Sequence, residues 1–289
     1  MDEVIKTILS GHDLSTVSSV TDAMREVIQE IALLGLSRSS FFTKAAFYGG
    51  TALRIFYGLP RYSEDMDFSL LRPDADFDIA AYEKFIVDEL NAFGFEVSFE
   101  KRRKNVETRI ESAFLKADTR THFLIVEEAH ALSRRIPKGQ AIRVKIEVDT
   151  DPPSGFETEI CYHLRPIPFS ARVYSMPDLF AGKMHALLCR AWKRRVKGRD
   201  WYDFVWYVAR DTPLRLSHLE ARMRQSGHVE WPEKLTPEIF RELLKRRIDM
   251  LDVASAKDDV VRFLPNGIDL SIWSRDFFTA LAEKVRFVE

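Results

Sequence analysis

The chain is poor in the features that mark special classes of protein. Its 289 residues include two cysteines, Cys161 and Cys189. That excludes a disulfide framework and any CxxC metal pair, and it fits a reducing compartment. No aliphatic run approaches the ~20 residues that a spanning helix needs. The start, Met1-Asp2-Glu3, has no basic stretch before an apolar core, so no secretory leader is expected and a cytoplasmic protein is. Net charge is also missing: 43 Lys and Arg face 44 Asp and Glu, for a formal −1. A globally basic nucleic-acid coat is thereby excluded, though a local basic patch is not. HExxH and GxSxG motifs are absent as well. What remains, 46% apolar and 30% charged, is the composition of an ordinary globular protein of one large or two modest domains.

The texture changes near Met176. Before it, short β-rich runs alternate with helical stretches. Val20, Met24, Val27, Ile28, Ile31 and Leu34 recur near a 3.6-residue period and predict a helix over 18–35. Residues 45–48 form a short apolar run ending in Gly49-Gly50, from which a helix over 51–57 opens. Strands are expected at 66–71, 95–99, 108–114, 123–126 and 142–148, and a helix over 79–93, stopped by Gly94. The prolines at 152, 153, 166 and 168 read as punctuation. Beyond Met176, helices are expected at 177–193, 200–210, 214–225, 236–250 and 274–287. The pattern predicts an α+β fold: a head with a mixed sheet over 1–175, then a helical domain over 176–289.

Two neighbouring motifs carry chemistry. Asp65 and Asp67 stand two apart at the start of a predicted strand, so their carboxylates share a face. Carboxylates that close repel, and a hard cation such as Mg²⁺ resolves the conflict with oxygen ligands. Glu147, on the polar face of another strand, supplies a third carboxylate if the two strands are neighbours. A paired-metal site is then within reach. Gly49-Gly50-Thr51 lies where a strand turns into a helix, and helix-terminal N–H groups attract phosphate oxygens. Thr51 or Ser63 could add a hydroxyl, and Arg61 a charge. Taken singly, each has a plain reading: a surface DxD, a turn, a solvated glutamate. Their order along the chain points instead to a triphosphate cradle beside a metal.

With these residues the chain resembles the nucleotidyltransferase fold of DNA polymerase β type. More narrowly, it resembles the AbiEii/AbiGii toxin family, which includes the MenT toxins. That family pairs GGTxL, here from Gly49 to Leu53, with R-x-S-x-D-x-D-F, here from Arg61 to Phe68. Two downstream elements also match: the run from Asp178 to Arg190 carrying Lys183, and Arg199-Asp200-Trp201-Tyr202-Asp203. The likeness spans about residues 45–210 and leaves the last 80 or so without a recognised motif. It implies transfer of NMP from an NTP, with Mg²⁺ or Mn²⁺, to a hydroxyl at the 3′ end of a tRNA. It also implies a toxin with a cognate antitoxin, and a helical domain that completes the active-site cleft. A protein or small-molecule hydroxyl is the alternative acceptor, and a non-catalytic RNA- or partner-binding module the alternative class.

For Lys183, the residues alone leave open a triphosphate contact or a lysine snorkelling from a helix. The resemblance implies a catalytic role. Asp200 reads either as the cap of a following helix or as a site residue, and the resemblance again favours the site. Asp203 reads as structural. Six of the ten residues from 190 to 199 are basic: Arg190, Lys193, Arg194, Arg195, Lys197 and Arg199. A solvated helix end explains them plainly. An RNA backbone track, extended by 101–104, explains them functionally.

Overall fold

The computed structural model describes residues 2–101, 110–118, 141–190, 196–228 and 234–289. The chain divides into two compact units. The first comprises Met1–Gly58, Tyr62–Pro152 and Glu159–Val173; the second comprises Leu59–Arg61, Pro153–Thr158 and Tyr174–Glu289. The strand expected at 123–126 lies outside the described residues.

The first unit is built on a mixed seven-stranded sheet. Its helices are α1 (Asp2–Leu9), α2 (Val17–Ser37), α3 (Phe41–Lys44), α4 (Gly49–Tyr57) and α5 (Glu83–Ala92). Its strands are β1 (Ala45–Tyr48), β2 (Asp65–Leu70), β3 (Val97–Lys101), β4 (Ile110–Asp118), β5 (Ala141–Asp149), β6 (Thr158–His163) and β7 (Phe169–Tyr174). The order across the sheet is β3-β4-β5-β2-β1-β7-β6. β2 runs parallel to β5 and antiparallel to β1.

Local sequence explains most of this. Thr16 and Ser19 cap α2 reciprocally, and the helix is then buried on nearly every side from Ala23 to Leu36. In β5 the alternation is realised, with Ile142, Val144, Ile146 and Val148 all buried. Phe68 of β2 lies edge-on to Phe41 at 4.9 Å and stacks on Phe47 of β1 at 4.8 Å. The helix expected over 79–93 opens as a 3-10 turn, Ile79–Tyr82, before α5.

β6 and β7 are an addition to the expected elements. The prolines that read as punctuation lie outside both strands. β7 buries Phe169, Ala171 and Val173 with a strict period of two. β6 is an edge strand with no buried residue, so it leaves almost no hydrophobic signature.

The second unit is helical: α6 (Met176–Cys189), α7 (Gly198–Ala209), α8 (Leu216–Gln225), α9 (Pro237–Asp249), α10 (Val253–Val261) and α11 (Arg275–Ala282). Short strands β8 (Leu214–Arg215) and β9 (Phe287–Val288) pair in parallel. They trim the helices expected at 214–225 and 274–287. α10 was not anticipated; Asp252 starts it by accepting from the Ser255 N–H. Tyr207 of α7 stacks on Phe180 of α6 at 4.4 Å, and Trp201 packs on Phe278 of α11 at 4.8 Å.

Gly198 opens α7 at the point where it meets α10. A Cβ there would lie 1.8 Å from the Ala256 carbonyl oxygen, and the Gly198 N–H donates to Asp259 at 3.0 Å. Backbone cannot retreat as a side chain can, so Gly198→Ala should destabilise the protein by about 3 kcal/mol. Urea unfolding would show this as a lowered midpoint with an unchanged slope.

Candidate active site

The candidate site of the first unit grows from the β1–α4–β2 segment. Tyr48 pairs with Asp67 across the β1–β2 ladder. The chain then turns at Gly49, whose φ is +81°. A Cβ at Gly49 would meet Asp67 Oδ2 at 2.5 Å and Asp67 Cβ at 3.2 Å. Glycine is therefore required twice, for the left-handed conformation and for the space. The N–H groups of Gly49, Gly50 and Thr51 begin α4, where no intrahelical acceptor exists for them.

Asp65 and Asp67 are both half-buried on β2. In the parallel β2–β5 ladder, Asp65 is opposite Lys145 and Asp67 is opposite Glu147. Residues in register share a face, so three carboxylates and one ammonium occupy one side of the sheet. Glu147 Oε1 lies 2.6 Å from Lys145 Nζ. The three acids are not drawn within 4.8 Å of one another; among the described residues only His185, Cys189 and His228 form so tight a trio. Glu147 is held by its neighbour Lys145. The donor set itself, carboxylate oxygens only, suits a hard divalent cation. Asp65 and Asp67 are the residues placed to hold it.

Several buried polar groups fix this segment. Gln29 of α2, 1% exposed, donates through Nε2 to the carbonyls of Ser63 at 3.2 Å and Glu64 at 3.1 Å. Thr51 is fully buried, and its hydroxyl donates to the Asp65 carbonyl. That hydroxyl orients β2 from within. Arg54 of α4 pairs with Glu26 of α2 at 2.8 Å and lies 4.7 Å over the Tyr62 ring. Gln29 and Glu26 escaped the sequence reading. The signal was present: a helix with apolar residues almost all round makes any polar residue on it a buried one, and a buried polar group needs a partner.

The second unit carries a cluster of five charges. Lys183 Nζ of α6 contacts Asp200 Oδ1 at 3.0 Å and Asp203 Oδ2 at 2.8 Å, both on α7. Arg61 makes two 2.6 Å hydrogen bonds to Asp203, through Nε and Nη2. Arg190 Nη1 reaches Asp200 Oδ2 at 2.9 Å. Asp200 lies within the first turn of α7 and is not its cap; its oxygens are taken by Lys183 and Arg190. Arg61, 2% exposed, is committed to Asp203. Three cations against two anions leave one positive charge, on a cluster whose exposed edge is Arg190.

Burial alone would raise the Asp203 pKa, but Arg61 and Lys183 outweigh it and hold the carboxyl below the ordinary range. Burial likewise works against the Lys183 ammonium, and Asp203 and Asp200 more than offset it, so its pKa is raised. Of the basic run, Arg190 and Arg199 are both engaged, Arg199 standing 4.1 Å over the Phe263 ring. Burial, then Arg190, lowers the pKa of Lys197. Lys193, Arg194 and Arg195 lie outside the described residues, as do 102–104.

A mixed sheet that sets paired aspartates on a strand beside a strand–Gly-Gly–helix turn is the nucleotidyltransferase fold of DNA polymerase β type. The family model for the nucleotidyl transferase AbiEii toxin, of type IV toxin–antitoxin systems, matches residues 31–283. The chain belongs to that family. Among solved structures, JHP933 from Helicobacter pylori aligns with a TM-score of 0.52 at 16% identity, over 91% of this chain and 90% of that one. A second H. pylori structure, of a provisionally assigned nucleotidyltransferase, aligns at 0.49 and 15% identity over 90% and 92%. No curated protein matches by sequence.

Two outcomes follow from the buried partners. Gln29→Leu removes the partner of two half-buried carbonyls and should cost about 1 kcal/mol or more, read from the urea midpoint. Asp203→Asn leaves Arg61 and Lys183 short of an anion and should cost about 3–5 kcal/mol. The stabilisation from Asp203 is complete above its unfolded pKa of about 3.9 and is lost as pH falls through its depressed folded value. Native protein should therefore lose stability in that acid window more steeply than Asp203→Asn does.

Proposed function

We propose that this chain is a metal-dependent toxin that transfers NMP from an NTP to the 3′ end of a tRNA in the cytoplasm. The observation that carries the reading is the Asp67 carboxylate, set against Gly49 and in register with Glu147. A strand acid that touches the turn opening α4 brings a cation and a phosphate to one place.

Asp65 and Asp67 would hold Mg²⁺ or Mn²⁺, with Glu147, which pairs with Lys145, as a third ligand. The N–H groups of Gly49, Gly50 and Thr51, with the Ser63 hydroxyl, bind triphosphate oxygens. When bound, the cation would supply neutralisation of the charge that builds on those oxygens. The acceptor hydroxyl attacks the α-phosphorus, the bond to pyrophosphate breaks, and pyrophosphate leaves. Catalysis of this kind rests on positioning and preorganised charge. Thr51 acts through Asp65, and Arg61 through Asp203, as positioning residues. Lys183, held by Asp200, is read as a catalytic residue. The charge left over by its cluster favours an anionic partner. The basic residues of 190–199 are read as the RNA contact, and a cognate antitoxin as the protein partner. Retention of both aspartates and Lys183 weighs against a non-catalytic module.

The test is incubation with each labelled NTP and total RNA, with Asp67→Asn and Asp65→Ala as controls. Label should enter RNA of tRNA size with one NTP preferred, and each variant should lower transfer at least 100-fold while unfolding at nearly the native urea midpoint. Label in protein would move the acceptor to a polypeptide. Full transfer by Asp67→Asn would overturn the metal assignment.

A further inference from the structure

A tighter set of ligand side chains than the carboxylates of the first unit lies elsewhere. In the second unit, His185 and Cys189 stand four apart on α6, one turn above the other on one face. His228 follows the C-terminus of α8 and is exposed. One ligand atom from each of the three lies within 4.8 Å of the other two. His185 Nε2 and His228 Nδ1 each sit 2.9 Å from the Ser226 hydroxyl oxygen, so two imidazoles from different segments converge on one point. Their rings are 6.1 Å apart and nearly perpendicular.

We propose that His185, Cys189 and His228 form a Zn²⁺ site. Two imidazole nitrogens and a sulfur are the donor set of a borderline-soft cation, whereas Mg²⁺ takes oxygen. Spacing four apart on a helix presents two ligands to one ion, and the third arrives from a turn. Tetrahedral bonds of about 2.0–2.3 Å place ligand atoms roughly 3.5 Å apart, so the trio closes by about 1 Å. His228, exposed at the end of its turn, has the freedom to supply that movement. A water or the Ser226 hydroxyl completes the fourth position.

The surroundings set the terms of binding. Burial first, then Arg222, pushes His185 down to about 4, so its ring is neutral near pH 7 and keeps a lone pair for the metal. Burial pushes the Cys189 thiol up to about 11, against the pull of Arg247. Zn²⁺ must therefore displace the thiol proton to solvent as the Zn–S bond forms. The thiolate then offsets the nearby arginines. Occupancy ties the C-terminal end of α6 to the segment after α8. The site is a clamp on the helix that carries Lys183, and it does not depend on the transfer reaction.

Cobalt makes the test specific. The 289-residue protein, stripped with a chelator and held in excess Mg²⁺ to occupy the carboxylates, is titrated with Co²⁺. One Co²⁺ per chain should bind, with a near-ultraviolet thiolate-to-cobalt band that Zn²⁺ abolishes by displacement. The band should vanish in Cys189→Ser, persist in Cys161→Ser, and need at least tenfold more Co²⁺ in His228→Ala. His228→Ala alters an exposed turn, so it decides the matter even where Cys189→Ser fails to fold. No band at equimolar Co²⁺, a band that survives Cys189→Ser, or unchanged affinity in His228→Ala would each overturn the site.

Discussion

The structure turns on one close approach: the Asp67 carboxylate occupies the space where any residue but glycine at position 49 would place its Cβ. Ladder pairing with Tyr48 fixes how far β2 runs alongside β1, and the +81° turn fixes where α4 leaves. Through these two constraints, the acid and the first N–H groups of a helix share one corner of the sheet. The parallel β2–β5 ladder then sets Glu147 beside Asp67. Two neighbouring segments and one strand distant in sequence thus set their polar groups on one side of the sheet through backbone geometry.

Charge is handled differently in the two units. On the sheet, the acids are half-exposed, with Lys145 close to one of them, an arrangement open to a cation. In the second unit, Lys183, Asp200, Asp203, Arg61 and Arg190 bind each other through short contacts, and Asp203 is wholly buried. Such a network stabilises little relative to a hydrophobic substitute, but each member is costly to remove alone. Its value lies in holding the Lys183 ammonium charged and in one orientation.

The elements with strong periodicity were legible in the sequence. α2, β5 and the strand–Gly-Gly–helix turn follow from residue pattern, and the DxD and GGTxL motifs named the family. What escaped had physical reasons. β6 is an edge strand without a buried face, and the prolines around it dominate its local signal. α10 is short and starts from a single Asp252 cap. Gln29 and Glu26 sit among aliphatic residues, and a 3.6-residue count of apolar positions passes over polar ones. Of the two readings of Asp200, the cap is not realised, because Gly198 already opens α7, with Asp259 serving its N–H. The Asp200 carboxylate is released to Lys183 and Arg190.

The grip of Gln29 on the carbonyls of Ser63 and Glu64 has a dynamic consequence. The acid-bearing strand is fastened at its entrance to the most deeply enclosed helix of the first unit. The end of the strand that carries Asp65 is therefore expected to melt together with the interior and not ahead of it.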